Sequence, residues 1–347
     1  TFIVDRQENR QDEYGDGGYY YPPPPYGGYH YDDWDNEDVA VALGVGGMVG
    51  AGVFSIPRNF AMATGVYGAL IAWTIAGLGM LMLAFVFQTL ANRKPDLDAG
   101  VYAYARAGFG PYLGFASAFG YWASACVGNV SYWVLIKSTL GGVFPVFGDG
   151  NTVSAVAVSS IGIWAFHFLV LRGTKEAAAL NKIVTIAKIV PLLVFLVLVI
   201  FAFNPKVFAD NLWGGAAMTQ EYLHAHGDLV AAGAASAARD YGNLFEQVKA
   251  TMLITVFVFL GIEGASNYSR FAKKREDVGT ATVVGFLGVL ALFASVSILS
   301  FGVMPRAEIQ QLSQPSVGGV LASAVGAWGA TFIGIGVVIS VLGAYLA

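Results

Sequence analysis

Two glycine-rich segments carry the chemistry this sequence can do. The first, Gly46-Gly47-Met48-Val49-Gly50-Ala51-Gly52, runs into Val53-Phe54-Ser55-Ile56-Pro57, and the second is Gly261-Ile262-Glu263-Gly264-Ala265-Ser266. Both lie inside long apolar runs, where each glycine weakens a helix by about 0.5–1 kcal/mol relative to alanine. A helix interrupted at membrane depth exposes amide and carbonyl groups that can replace a ligand's hydration shell. If the first run breaks near Gly50 to Gly52, its second half opens with the amides of Ala51, Gly52 and Val53 and the positive end of a helix dipole, which suits a carboxylate. Carbonyls ending the first half-helices, near Met48 and Leu260, suit an ammonium group. Together they describe a site for the backbone of a zwitterionic amino acid. The competing reading is close helix packing through small residues. Glu263, charged and inside the second segment with Gly261, weighs against it.

An ionisable side chain in mid-membrane costs roughly 2.5–3.5 kcal/mol on insertion scales, so each one needs a reason. Glu263 sits well inside its run, at the break, and is a candidate proton carrier or coupling group; the bland alternative is a neutral acid bonded to a neighbouring helix. Lys188 stands about two turns into another run, out of easy reach of water. Two readings stand for it: a fixed cation bonding the loosened carbonyls of the first break, or a lysine curling back to the cytoplasmic face. Lys137 and His167 lie near the ends of their runs, where both are expected to reach the interface. Tyr121 and Asn129, eight residues apart and thus nearly on one helical face, either line a pore or hold helices together.

These residues have to be positioned by membrane helices. The chain of 347 residues is 56% hydrophobic and 12% charged, with a mean hydropathy of +0.60. Ordinary soluble domains carry about 25% charged residues, so too little polar surface remains to coat a water-soluble body. A net charge of −4 excludes the clustered basic face that nucleic acid demands. The lone Cys126 excludes an internal disulfide and a thiolate metal cluster; no metal and no cofactor are expected. Residues 1–38, a Tyr/Gly/Pro-rich tract with acidic ends, read as a disordered tail. Residues 39–347 read as one transmembrane domain of about eight spans, near 39–63, 66–91, 111–142, 152–171, 180–203, 248–269, 278–303 and 328–347. All should be helices, which satisfy their own backbone in lipid.

Basic residues set the orientation. Arg93, Lys94 and Arg106 follow the second span, Arg172, Lys175 and Lys182 the fourth, and Arg270, Lys273, Lys274 and Arg275 the sixth. The connection between the seventh and eighth holds only Arg306 from Val303 to Val317. The amino terminus is therefore expected in the cytoplasm, and the long stretch 204–248 outside, partly helical and facing solvent. The two breaks lie five spans apart, the spacing of a 5+5 inverted repeat, and the sequence stops within the eighth run.

The stretches Gly47-Met48-Val49-Gly50-Ala51-Gly52-Val53-Phe54-Ser55-Ile56-Pro57, Thr185-Ile186-Ala187-Lys188-Ile189-Val190-Pro191-Leu192, Phe259-Leu260-Gly261-Ile262-Glu263-Gly264-Ala265 and Ala272-Lys273-Lys274-Arg275-Glu276-Asp277-Val278-Gly279 resemble the amino acid-polyamine-organocation superfamily. Within it they are most similar to basic amino acid/polyamine antiporters, especially arginine-ornithine exchangers. The likeness runs from about Gly44 to the last residue and leaves out the tail and an insertion near 214–240. It implies an all-α polytopic membrane protein with a LeuT-like inverted-repeat fold, broken in helices one and six and truncated in helix eight. It implies that Ala51 and Gly52 amides take the substrate carboxylate, and that carbonyls of Met48, Phe257 and Leu260 take its ammonium. Asn129 and Tyr121 then lie near the cationic side chain and the inner site, Glu263 serves pH response or gating, and Lys188 stands where sodium-coupled relatives bind sodium. Phe257 replaces a frequent tryptophan, which weakens a cation–π contact without abolishing it. Ala51 stands where some relatives carry a serine hydroxyl.

The sequence thus reads as an inner-membrane antiporter exchanging a cationic amino acid, such as arginine, for ornithine or a similar amine by alternating access. The rival readings are a proton-coupled symporter or uniporter and a truncated, non-transporting membrane scaffold. The lipid bilayer and small cationic amino acids are its expected partners; an oligomer is possible and its order is left open.

Overall fold

Apolar runs of this length become helices, and among the described residues all regular structure is helical. The structure, a computed structural model, describes residues 48–94, 97, 100–172, 175–213, 243–259, 261 and 275–346. All of them fall within one unit, Asn36–Ala347. A 3-10 segment, Ala51–Ser55, leads into α1, Ile56–Ala63. There follow α2, Val66–Arg93, α3, Gly100–Phe109, α4, Pro111–Gly141, α5, Val153–Arg172, and α6, Lys175–Phe201. After a short α7, Pro205–Asp210, come α8, Leu244–Phe257, α9, Arg275–Ser300, α10, Arg306–Gln311, α11, Ser316–Val325, and α12, Ala327–Leu346. The tail 1–38 lies outside the described residues.

Lipid, in place of water, decides which faces are apolar. Helix α2 exposes Leu70, Ile71, Ile75, Leu78, Met82 and Phe85 while burying Ala69, Ala72, Trp73 and Ala76. Apart from Trp73, the buried positions are alanines, small residues of the kind that let membrane helices approach closely. Segments Val66–Leu90 of α2 and Val283–Ser300 of α9 are each long and apolar enough to cross a bilayer. These two helices pack along one another, and a β-carbon on Gly77 would already stand 3.0 Å from Leu290. Helix α12 lies against α6, α11 and α4. At its contact with α6, a β-carbon on Gly336 would come within 2.5 Å of the Pro191 ring, so only glycine admits the proline there.

Aromatic rings tie the first span to its neighbours. Trp73 of α2 stacks on Phe60 of α1 at 5.2 Å and meets Phe259 edge-on at 5.6 Å. Its indole N–H donates to the Ser297 hydroxyl of α9 at 2.8 Å, which satisfies the one polar atom it buries. Phe259 in turn contacts Phe286 and Phe293 of α9.

Two expectations change. Lys137 does not reach water: it is 4% exposed, its ammonium lying 5.5 Å from the Trp133 ring and 5.3 Å from the Phe147 ring. Trp133 stands one helical turn before it and Phe147 on the following 3-10 segment Pro145–Phe147, so cation–π contacts replace hydration. The connection after Val303 is not a plain loop either. It folds into α10 and α11, which bury Ile309, Val317, Val320 and Leu321 and pack against α1.

Candidate functional site

The first span is interrupted where its glycines stand. Met48 is helical, and its carbonyl accepts a hydrogen bond from the Gly50 amide at 2.9 Å. Gly50 is extended, with φ −94° and ψ −163°, before the chain turns into Ala51–Ser55 and α1. In a 3-10 segment the first i→i+3 bond is donated by the third residue, here Val53. Ala51 and Gly52 therefore present amides with no acceptor inside the segment, narrowing the sequence reading from three amides to two. The Met48 carbonyl, already holding one hydrogen bond, retains a second lone pair.

In the sixth span the described helix ends short of the glycines. Helix α8 ends at Phe257. Val258 donates to the Ile254 carbonyl and Phe259 to the Val256 carbonyl, both at 3.2 Å, so the last turn tightens. Gly261 follows with φ +108°, a conformation that a β-carbon would oppose. Leu260 and Glu263 lie outside the described residues.

These two interruptions meet in space. A β-carbon on Gly52 would stand 3.5 Å from Cγ1 of Val258, so the start of one half-helix lies against the end of another. The side chain of Met48 is 2% exposed and seated in the core, leaving its backbone as the group it can offer, while Phe257 is 57% exposed. Asn129 is half-buried on α4, and Tyr121, two turns earlier on the same helix, is exposed. Lys188 is 1% exposed and sits one turn before Pro191 at the α6–α12 contact, so its ammonium is enclosed by protein rather than curled back to an aqueous face.

Sequence reasoning missed Tyr132. Its hydroxyl oxygen would lie 3.4 Å from a β-carbon on Gly50, which places a phenol at the first break, three residues beyond Asn129. It also missed a polar cluster at the far end of α1. There Arg306 and Gln310 both donate to the Ala61 carbonyl, at 2.6 and 2.8 Å, and Asn211 accepts from the Arg306 amide at 2.9 Å. Gln247 of α8 accepts from the Thr64 hydroxyl at 3.0 Å. Only the three-dimensional pairing of distant residues shows either group.

A helical chain that exposes many large apolar side chains, with two helices long and apolar enough to cross a bilayer, has the surface of an integral membrane protein. The amino acid permease profile matches residues 39–347, and the chain belongs to that family. It is 52% identical over 305 residues to the "Arginine/ornithine antiporter" of Pseudomonas aeruginosa, covering 88% of this chain and 59% of that one. It is 47% identical over 310 residues to the "L-lysine transport protein" of Corynebacterium glutamicum, covering 88% and 57%. With the "Arginine/agmatine antiporter" of Chlamydia caviae it shares 39% identity over 312 residues, covering 88% and 60%. The chain thus spans about three fifths of the length of the curated relatives it matches.

Proposed function

We propose that the protein is a secondary active antiporter that exchanges cationic amino acids across the inner membrane, arginine for ornithine or a similar amine. The observation that carries this reading is the contact between the two interrupted helices at Gly52 and Val258. It is supported by the named activities of relatives that align with 88% of the chain. The substrate carboxylate rests on the amides of Ala51 and Gly52, and its ammonium on carbonyls of Met48, Phe257 and Leu260, beside Gly261. Asn129 and Tyr121 serve the side chain and the path to it. Lys188 acts as a fixed cation and Glu263 as the coupling or gating acid. Spans one to five pair with their counterparts as LeuT-like inverted repeats, the amino terminus lies in the cytoplasm, and residues 1–38 form a tail outside the transport domain. Rocking between the two faces then carries one cation each way, so exchange of arginine for ornithine is electroneutral.

The test is uptake of labelled arginine by liposomes that contain the protein purified from its complete reading frame, comparing vesicles preloaded with ornithine against empty ones. Uptake that requires internal ornithine supports exchange. Equal uptake into both, collapsing under a proton uncoupler, replaces antiport with proton coupling, and no uptake in either removes the reading.

A further inference from the structure

A carboxylate has about four lone-pair positions, and two backbone amides leave part of that capacity unmet. At the first break Ala51 and Gly52 supply the amides, and neither residue carries a hydroxyl. The side chain that reaches this point comes from another helix. Tyr132 of α4 places its hydroxyl oxygen 3.4 Å from where a β-carbon on Gly50 would stand. Gly50 is the residue immediately before those amides, and the phenol oxygen stands at contact distance from where its side chain would begin. The ring of Tyr132 packs against the apolar core, so it is held by its body while its oxygen faces the break. Among the described residues that hydroxyl makes no hydrogen bond. A phenol O–H is a donor to an anion, and the dipole of the turn that opens at Ala51 favours negative charge at the same place. Asn129 lies three residues earlier on the same helix, so a substrate whose carboxylate meets Tyr132 has its remainder against the face of α4 that carries Asn129.

We propose that Tyr132 determines specificity for the α-carboxylate: its hydroxyl donates the third hydrogen bond to the substrate carboxylate seated on Ala51 and Gly52, so that amino acids are preferred over their decarboxylated amines. This rests on the transport reading above and adds to it which substrates are favoured. Because the bond is made to a charged group, its loss weakens binding by about tenfold to a hundredfold. A substrate without a carboxylate has nothing to lose at this position.

The experiment measures exchange of labelled arginine by full-length protein in liposomes, with unlabelled arginine, ornithine and agmatine as competitors. Agmatine is arginine without its carboxylate. In the Tyr132→Phe variant the inhibition constants for arginine and ornithine should rise about tenfold or more while that for agmatine stays within about twofold, a spread no wider than that of surface substitutions. The preference for arginine over agmatine then narrows by the same factor. Tyr132→Met, which removes the ring as well, should show the same loss for arginine. Equal weakening of all three competitors would make Tyr132 a packing residue and overturn the proposal, as would unchanged constants. Failure of the unmutated protein to exchange arginine at all would instead remove the transport reading, and this inference with it; that outcome is told apart because it precedes any substitution.

Discussion

Arg306 donates from Nε to the carbonyl oxygen of Ala61 at 2.6 Å, joining α10 to the C-terminal end of α1 across 245 residues of sequence. The guanidinium is 6% exposed, and the same carbonyl accepts a second bond from Gln310. Charge-assisted bonds to a buried acceptor contribute about 1.5–3 kcal/mol each. Arg306→Ala should therefore lower stability by about that amount, measured as a reduced unfolding midpoint in detergent micelles. Arg306→Lys should not restore it, because an ammonium lacks the planar fork that aims Nε at this oxygen. A lysine variant as stable as the parent would show that charge alone, not geometry, holds α10 to α1.

Gly52 lets the two breaks touch. A valine at this position would drive its methyl groups into Val258, which already lies in ordinary contact with a β-carbon there. Displacing the reacting geometry by about 1 Å costs on the order of a hundredfold in a positioned site. Gly52→Val should reduce arginine exchange by roughly that factor while the protein still inserts and purifies normally. Wild-type exchange rates in the variant would separate the Gly52–Val258 contact from substrate binding.

Lys188 is enclosed in the bundle, and methionine approximates the length of its aliphatic chain without the charge. Lys188→Met should retain the fold, since the flexible thioether fills much of the same buried space. Exchange should fall to background. Normal exchange without a new sodium requirement would end its role as a fixed cation.

Glu263→Gln should flatten the pH profile of exchange, since glutamine matches the shape of glutamate and cannot titrate. The profile is read as initial rate against pH in liposomes with matched internal and external buffer. A profile unchanged in shape would take Glu263 out of the coupling mechanism.

How far the sequence was legible depended on whether the signal was local. The first break was readable because Gly50 and Gly52 are glycines inside an apolar run, and the interruption falls among them. The second was readable only at Gly261, whose φ is +108°; that the helix already ends at Phe257 is announced by nothing in Val258 or Phe259, and Leu260 and Glu263 lie outside the described residues. Tyr132 was invisible because a tyrosine in an aromatic-rich membrane helix usually marks a lipid face, and only packing against Gly50 gives it another place. The burial of Lys137 was half legible, since Trp133 lies one turn away, but Phe147 comes from beyond the end of α4. The Arg306–Ala61 bond, like Gln247 with Thr64, joins residues far apart in sequence, where neither periodicity nor composition carries information.

Helix α1 has eight residues, about 12 Å at the usual rise, well under half of a hydrocarbon layer about 30 Å thick. It is a stub, tied near its start by Ser316, which accepts from the Arg58 amide, and near its end by Arg306 and Gln310, which donate to the Ala61 carbonyl. A rigid rod crossing the whole bilayer could tilt only by disturbing packing along its full length. A stub is held instead by a few named contacts, the charge-assisted bond from Arg306 at about 1.5–3 kcal/mol and the stacking of Phe60 on Trp73 among them, so its position is set locally rather than along the whole bilayer.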